Sequence, residues 1–567
     1  MCLGKLLHFT ILHRVNYQVP KNLAIWRFCI LGKDLASIHS EFCVLLTTSG
    51  IGSRLGELTR YTNKGLVMVG GKPALSYIVE SYEESIPFVV TLGHFGDHVR
   101  EYLTLLYPNR IFTFIDVEPF SGTGSSLAFS MLQARDYLQR PFIYHANDSL
   151  VFNQTLPPPA RNRNWIGGSL GNSAANYASV DVRGNRVSKV SDKGSMQFDY
   201  IHTGVVGIGN YESFWEILSD LVLTNPQNES LSDIHAEELL VMAGVDFELV
   251  KISEWYDIGN SDALQRVLEI FPNSKVVLAK PSEFVGFTQD KVIKFFASKE
   301  ICHQRVQRAK LLDNLVPRVI SSGDHFFIYN YVEGYNLSNS NDPSRILSFL
   351  SWAKNYLWGA GLGDFDEDIT KLCNQFYVDK TCERLELFQQ TRGIRNSTIV
   401  INGKYIKSVE ELLEMAFTVV LEDLRPSKFH GDLILDNILL KDSVFTLIDW
   451  RQDFAGSLEL GDLYYDLAKL NHSFYVNHDL VNRNLFKFQE KNGRVVVEIL
   501  IKDSLITMRD LFVKWIKNNK LNQKKIEVLT GLIWLNMAPL HHHPFDLFLY
   551  HYGLLKLQLE LREDNNL

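Results

Sequence analysis

The sequence predicts an α/β protein of at least two domains: first a mostly parallel sheet covered by helices, then an α+β unit. Three observations carry this expectation. The chain has 567 residues, more than one hydrophobic core accommodates. From Phe42 to Asp148, short apolar runs alternate with helical periodicity, the pattern of a parallel sheet with helical crossovers. From Phe284 onward, paired apolar runs about polar turns are separated by a long stretch of helical period.

Composition narrows the class. Hydrophobic residues make up 46% of the chain and charged residues 22%, the balance of a soluble globular protein. The aromatic share of 12% points to large cores rather than disorder. A net charge of −8 provides no global basic field for nucleic acid. The six cysteines (Cys2, Cys29, Cys43, Cys302, Cys373 and Cys382) form no Cys-x-x-Cys pair, which suits free thiols in a reducing compartment. No apolar run approaches the roughly 18 residues of a membrane span. His8, His13 and Arg14 interrupt the apolar N-terminus, making it a poor signal peptide. The expectation is a cytoplasmic protein with no membrane span and no nucleic-acid partner.

Residues 1–40 show no clear period and are read as an N-terminal extension without assigned function. Phe42–Thr48 is a strand running into Ser49-Gly50-Ile51-Gly52-Ser53-Arg54. A strand, a glycine turn and a cation present backbone N–H groups and positive charge to phosphates. Gly50 and Gly52 permit close approach, and Arg54 can fork onto phosphate oxygens. Pro73 can open the helix that comes after it. Phe88–Gly93 reads as a strand, Asp97–Leu106 as a helix and Ile111–Ile115 as a strand. Phe142–Asp148 is a strand ending in an acid. Sites in such sheets lie at the carboxyl ends of strands, which places Asp148 for a metal ion.

Taken together, Gly50-x-Gly52-Ser53-Arg54-Leu55, the later Lys64, and Gly71-Lys72-Pro73 resemble the entry to a nucleotidyltransferase family. That family includes sugar-1-phosphate nucleotidyltransferases and phosphocholine cytidylyltransferases and has a Rossmann-like sheet. Asn63 stands where many members have Pro. The resemblance implies Arg54 and Lys64 as catalytic cations. It implies Gly50, Gly52, Ser53, Lys72 and the loop Gly122-Thr123-Gly124 as nucleotide-binding residues. Asp148 and Asp257, the latter in Trp255–Asn260, become Mg²⁺ ligands, and Tyr200–Ile208 becomes an acceptor-side strand. The expected domain is 41–272, with a linker at 273–282.

In the second half, Phe284–Thr288 and Lys291–Phe296 form one hairpin signal. His430–Leu440 and Val444–Asp449 form another, about Lys441-Asp442-Ser443. Folding this second pair puts Asn437 roughly opposite Leu447, with Asp449 just beyond at the open end and Asp432 on the loop upstream. Such oxygen ligands suit Mg²⁺ with phosphate, and a separate carboxylate can accept a hydroxyl proton. His430-Gly431-Asp432, Asn437 and Asp449 resemble the catalytic segment of the aminoglycoside phosphotransferase and choline kinase superfamily, small-molecule relatives of protein kinases. Gly461–Lys469 comes next at a similar spacing. The resemblance implies a two-lobed, protein-kinase-like domain over 283–567. Asp432 would be the base, and Asn437 and Asp449 the Mg²⁺ ligands. Lys294 would meet ATP phosphates, with Lys291 and Lys299 as rivals and Glu300 as a candidate partner. Phe326–Gly334 would be the hinge. His541-His542-His543-Pro544 reads as a polar loop beside the acceptor pocket rather than a metal site.

The resulting expectation is a bifunctional, Mg²⁺-dependent enzyme. It would phosphorylate a sugar or amino alcohol with ATP, and join a phosphorylated acceptor to a nucleotide from a second NTP, CTP being one candidate. The resemblance implies products of the kind used for surface polysaccharides. Alternatives are a kinase acting on the nucleotide-linked product, and a nucleotide-sensing scaffold with inactive sites. A glycosyltransferase predicts Asp-x-Asp, from which Ala146-Asn147-Asp148 departs.

Overall fold

The computed structural model describes residues 40–271, 282–288, 290–359, 368–394 and 399–562. Apart from Ser40 and Ser282, the extension and linker expected from the sequence lie outside them. Residues 42–567 form one compact unit, distinct from residues 1–41.

The first half of the larger unit contains β1 (Cys43–Thr47), β2 (Met68–Val69), β3 (Lys72–Pro73), α1 (Ala74–Glu80), β4 (Phe88–Leu92), α2 (Gly96–Leu106), β5 (Phe112–Asp116), α3 (Leu127–Gln133), β6 (Phe142–Ala146) and β7 (Ser149–Val151). After these come β8 (Asn164–Ser169), β9 (Ser179–Arg183), β10 (Arg186–Ser191), β11 (Tyr200–Ile208), α4 (Tyr211–Thr224), α5 (Asp233–Met242), β12 (Phe247–Lys251), β13 (Trp255–Asp257) and α6 (Ser261–Ile270). Nine strands make one sheet in the order β5-β4-β1-β6-β11-β8-β12-β10-β9. Every residue of β1 and β4 is buried, as a parallel strand covered on both faces requires.

The expected mostly parallel sheet is found only in part. The strands β5, β4, β1 and β6 are mutually parallel. Beyond them β11 runs antiparallel to β6 and β8, and β9 and β10 form a hairpin. The difference lies in the connections. Parallel neighbours need a crossover, whereas a hairpin closes over two residues, here Gly184-Asn185 with Gly184 at φ +66°.

The second half opens with β14 (Glu283–Phe287), β15 (Lys291–Phe296), α7 (Lys299–Leu312), β16 (Val319–Ser322) and β17 (Phe326–Asn330). These strands form an antiparallel sheet in the order β14-β15-β17-β16. The chain then leaves that sheet, and β18 (Tyr335–Asn336) pairs with Ile438–Lys441, Tyr335 facing Leu440. The segment expected to be a hinge therefore links two sheets. Most of the chain beyond Asn336 is helical, including Lys380–Arg392, Leu463–Tyr475, Gln523–Met537 and Phe545–Glu560. Among the described residues no helix is long and apolar enough to cross a membrane.

The Ile438–Lys441 and Val444–Leu447 hairpin corrects the expected register by one residue. Ile438, not Asn437, faces Leu447, and Ile448 N donates to Asn437 O at 2.9 Å. The turn is two residues, Asp442-Ser443, with φ of +48° and +66°. Two consecutive positive φ values match the strand twist of a tight hairpin, so Lys441 stays in the ladder.

The two halves share an apolar core. Tyr102 and Leu103 of α2 cluster with Phe295, Phe326 and Ile328 of the four-stranded sheet. Glu101 Oε1 accepts from His325 N and Phe326 N, both at 2.8 Å, and Phe287 N donates to Gly71 O at 2.8 Å. Helix α2 thus closes a face of the second sheet.

Candidate active sites

The first site is assembled where β1 and β6 end. Thr48 N and Oγ1 both donate to Thr91 O, at 3.0 and 2.7 Å, and His94 N donates to Ser49 O at 2.9 Å. Asn63, fully buried, is the clasp. Its Nδ2 donates to Thr48 O and His94 O at 2.8 and 2.7 Å, while its Oδ1 accepts from Gly65 N at 2.9 Å. The amide therefore joins the segments that follow β1 and β4 and caps the short turn that begins at Lys64. A proline could make none of these side-chain bonds.

Lys64 Nζ lies 3.0 Å from Asp148 Oδ2. Gly52 has φ +70°, and a Cβ there would fall 2.8 Å from Lys64 Cβ. Glycine at this position is needed for Lys64 to pack against the turn. Strands β7 and β13 pair Ser149 with Asp257, and Ile258 N donates to Asp148 O at 2.9 Å. A Cβ on Gly259 would be 2.9 Å from Asp148 Oδ2 and 3.0 Å from Asp257 Oδ1, so the two carboxylates flank one point. Burial would raise the Asp148 carboxyl, but Lys64, by charge and hydrogen bond, and Arg54 outweigh it and hold the group below its ordinary value. Asp257 is pushed up, first by burial and then by Asp148. Two adjacent carboxylates, one destabilised by the other, form a donor set that fits a hard divalent cation.

Arg54, Lys64, Asp148 and Asp257 are thus brought together. Gly50 and Ser53 lie on the exposed turn beside them. Gly122 and Thr123 are exposed and Gly124 half-buried in one loop, with φ of +72° and +90° at its glycines. Phe120, at the base of this loop, packs so closely on Gly93 that a Cβ there would meet Phe120 Cβ at 2.7 Å and Ser49 O at 2.5 Å. Lys72 sits apart from the carboxylates. It ion-pairs with Glu80 and lies 4.1 Å from the Tyr77 ring centre. Sequence reasoning missed Tyr177, whose hydroxyl donates to Asp257 Oδ2 at 3.1 Å. No local pattern marks a residue so far along the chain from its partner.

The second site lies between β15 and the hairpin. Lys294, on β15, is buried and ion-pairs with Asp449. Burial lowers its pKa, and Asp449 restores only part of the loss. Glu300 is not the partner: it is exposed and accepts from Gln304 Nε2 at 3.0 Å. Asp449 holds a left-handed backbone, φ +61°, a strained conformation of the kind concentrated at functional sites. Asn437 Nδ2 donates to Asp432 O at 2.8 Å. That bond commits the amide nitrogen and leaves Oδ1 as a ligand atom. Asn437 and Asp449 therefore fit a hard cation beside Lys294. Asp432 Oδ1 lies 2.7 Å from Lys469 Nζ.

The loop carrying Asp432 is held by groups the motif does not name. Asp466, fully buried, accepts from His430 N at 2.8 Å, Gly431 N at 2.7 Å and Trp358 Nε1 at 3.1 Å. Arg308 of α7, 1% exposed, reaches the same loop. It donates to Phe429 O, to His430 O at 3.3 Å, to Arg451 O at 2.6 Å and to Leu458 O at 2.9 Å. Burial pulls its pKa down to about 9. Two π-helical segments, Lys354–Trp358 and Asn374–Asp379, supply Trp358 to Asp466 and Tyr377 to Asp462, the latter at 3.0 Å. Such segments often mark functional sites. The histidines at 541–543 fall in a loop, with His543 Nδ1 3.5 Å from Asp546.

No family model matches the chain. The similarity to known proteins falls on about two fifths of the chain. In sequence, the chain is 23% identical over 224 residues to "Bifunctional protein GlmU" of Methanococcus vannielii, covering 38% of this chain and 51% of that protein. GlmU of Methanococcus maripaludis is 23% identical over 221 residues, with the same coverage. The chain therefore spans about half the length of the curated relatives it matches. Among solved structures, CTP:phosphocholine cytidylyltransferase (LicC) from Streptococcus pneumoniae is 17% identical with a TM-score of 0.35, covering 41% of this chain and 99% of that one. A UDP-glucose pyrophosphorylase complexed with UDP-glucose is 14% identical with a TM-score of 0.36, covering 41% and 98%.

Proposed function

We propose that the chain is a bifunctional transferase with two separate phosphate-chemistry sites. At the first, a phosphate oxygen of an acceptor attacks the α-phosphorus of a nucleoside triphosphate and pyrophosphate leaves. Arg54 and Lys64 offset the charge that builds on the phosphates. At the second, a hydroxyl of a small metabolite attacks the γ-phosphorus of ATP, its proton passes to Asp432, and ADP leaves. Lys294 meets the ATP phosphates. Mg²⁺, held by Asp148 and Asp257 at the first site and by Asn437 and Asp449 at the second, would supply charge neutralisation. An activated precursor for a surface polysaccharide is a product that fits these two steps.

One observation carries the reading: in each half a lysine and a carboxylate far apart in sequence meet. Lys64 meets Asp148 at 3.0 Å, and Lys294 of one sheet meets Asp449 of the other. The test incubates the full chain with ATP, each NTP and a panel of sugars, amino alcohols and their phosphates, beside Asp148→Ala and Asp432→Ala. Asp148→Ala is expected to abolish pyrophosphate release and spare ADP formation, and Asp432→Ala the reverse. Equal loss of both activities in both variants would rule out two sites.

A further inference from the structure

Beside Asp432 the structure gathers positive charge that the transfer step does not use. Lys469 pairs with Asp432. Arg451 is wedged against the catalytic loop so tightly that a Cβ on Gly431 would lie 2.6 Å from Arg451 Cβ. The Arg451 guanidinium stands 5.0 Å from the Phe376 ring centre, and Lys380 Nζ stands 3.7 Å from the same ring. Arg384, one turn along the helix from Lys380, donates to Asn536 O at 3.1 Å. Among the described residues the Lys380 ammonium has no hydrogen bond and no ion pair. Its pKa is pushed well below the ordinary lysine value, first by burial and then by the charges of Arg451 and Arg384. Asp453 opposes the Lys380 charge and Asp432 that of Lys469. A half-buried excess of cations is costly unless an anion completes it. The cluster comes directly after a π-helical segment, Asn374–Asp379, which supplies Phe376 as the floor shared by Lys380 and Arg451.

We propose that the hydroxyl acceptor of the second site carries a phosphate group, bound by Lys380 and Arg451 with Arg384 and Lys469 beside them. This rests on the phosphoryl-transfer reading of that site and narrows it. The acceptor oxygen attacks the γ-phosphorus of ATP, the bond from that phosphorus to the β–γ bridging oxygen breaks, ADP departs, and the hydroxyl proton goes to Asp432. The acceptor's own phosphate is untouched and serves only as the handle. A reaction that forms a phosphate ester or a nucleotide-linked sugar must therefore precede this one. Quaternary and primary amino alcohols are disfavoured as acceptors, because four cations repel an ammonium.

The test measures ATP-dependent phosphorylation by the full chain. Acceptors are a neutral hexose, its 1- and 6-phosphates, choline and ethanolamine, and the nucleotide-linked products that the first site forms in the same tube. The hexose phosphates and the nucleotide-linked products separate the two sources of a phosphate handle. The expected result is phosphorylation of one of these two classes, with kcat/KM roughly 10- to 100-fold above the neutral hexose, the value of one or two charge-assisted bonds. Lys380→Met is expected to raise KM for that acceptor by about 10-fold or more, with the KM for ATP unchanged and Lys380→Arg recovering most of the loss. Equal or better use of the neutral hexose or an amino alcohol overturns the inference. An unchanged acceptor KM in Lys380→Met does so too. In either case Asp432-dependent phosphorylation leaves the phosphoryl-transfer reading standing. If no acceptor consumes ATP and Asp449→Ala does not change ATP binding, that reading falls and takes this inference with it.

Discussion

Replacing Asp466 by alanine tests how the loop carrying Asp432 is held. The carboxylate is fully buried and satisfies three N–H donors, two from consecutive peptide groups of His430 and Gly431 and one from the Trp358 indole. Alanine leaves all three in a cavity. A buried donor without a partner costs about 1–3 kcal/mol. The three share one pocket and do not add independently, so the expected loss is roughly 3–6 kcal/mol. That is a large share of a typical total stability of about 5–15 kcal/mol. Asp466→Asn keeps one accepting oxygen and turns an N–H against a donor, so it should fall between the parent and alanine. Urea unfolding monitored by tryptophan fluorescence measures the loss, since Trp358 and Trp450 lie in this region. ADP release and pyrophosphate release are assayed in parallel on protein folded below the transition. ADP formation should fall steeply in Asp466→Ala while pyrophosphate release stays near the parent value. If Asp466→Ala unfolds at the parent's urea concentration and keeps its ADP turnover, Asp466 does not hold this loop and the reasoning is wrong.

Three further perturbations probe the rest of the molecule. Gly52→Ala forces a Cβ to 2.8 Å from Lys64 Cβ at φ +70°; pyrophosphate release should drop at least about 10-fold, a displacement worth upwards of about 1.4 kcal/mol, and the melting temperature should fall as well. Glu101→Ala removes the acceptor for His325 N and Phe326 N and should destabilise the junction of the two halves by about 2 kcal/mol; hydrogen exchange at those amides should quicken. Stability should also fall as pH rises through neutrality. Burial, with the charge of Glu237, pushes Asp233 up to about 7, while burial of His202 is outweighed by Glu237, which holds its imidazolium above the ordinary value. Both groups have folded pKa values above their unfolded ones, so their contribution is complete below the unfolded values and is lost as pH climbs through the folded ones. Melting curves from pH 5 to 8.5 should show the decline, and Asp233→Asn should flatten it; a parent melting temperature that rises over this range would contradict the argument.

Local pattern alone determined much of this protein. The strand and glycine turn at residues 42–54, the alternation up to Asp148, and the hairpin around residue 442 were legible, because hydrophobic period and turn chemistry are properties of neighbouring residues. Asp432, Asn437 and Asp449 were named from a motif, a pattern of near neighbours in the chain, and their roles remain part of the proposal. Register was not: a two-residue turn rather than a three-residue one depends on whether Asp442 and Ser443 both take positive φ, and composition does not decide that. The mixed character of the large sheet was likewise hidden, since a strand's direction is set by where its connection crosses and not by its own residues. What only the tertiary structure decided are the meetings at long range. Asn63 clasps the segments that follow β1 and β4, and Tyr177 bonds Asp257. Arg308 of α7 reaches the loop carrying Asp432, and Lys294 pairs with Asp449 rather than with the nearby Glu300. Each of these is a polar group driven to find a partner by burial, and burial is set by the packing of the whole chain.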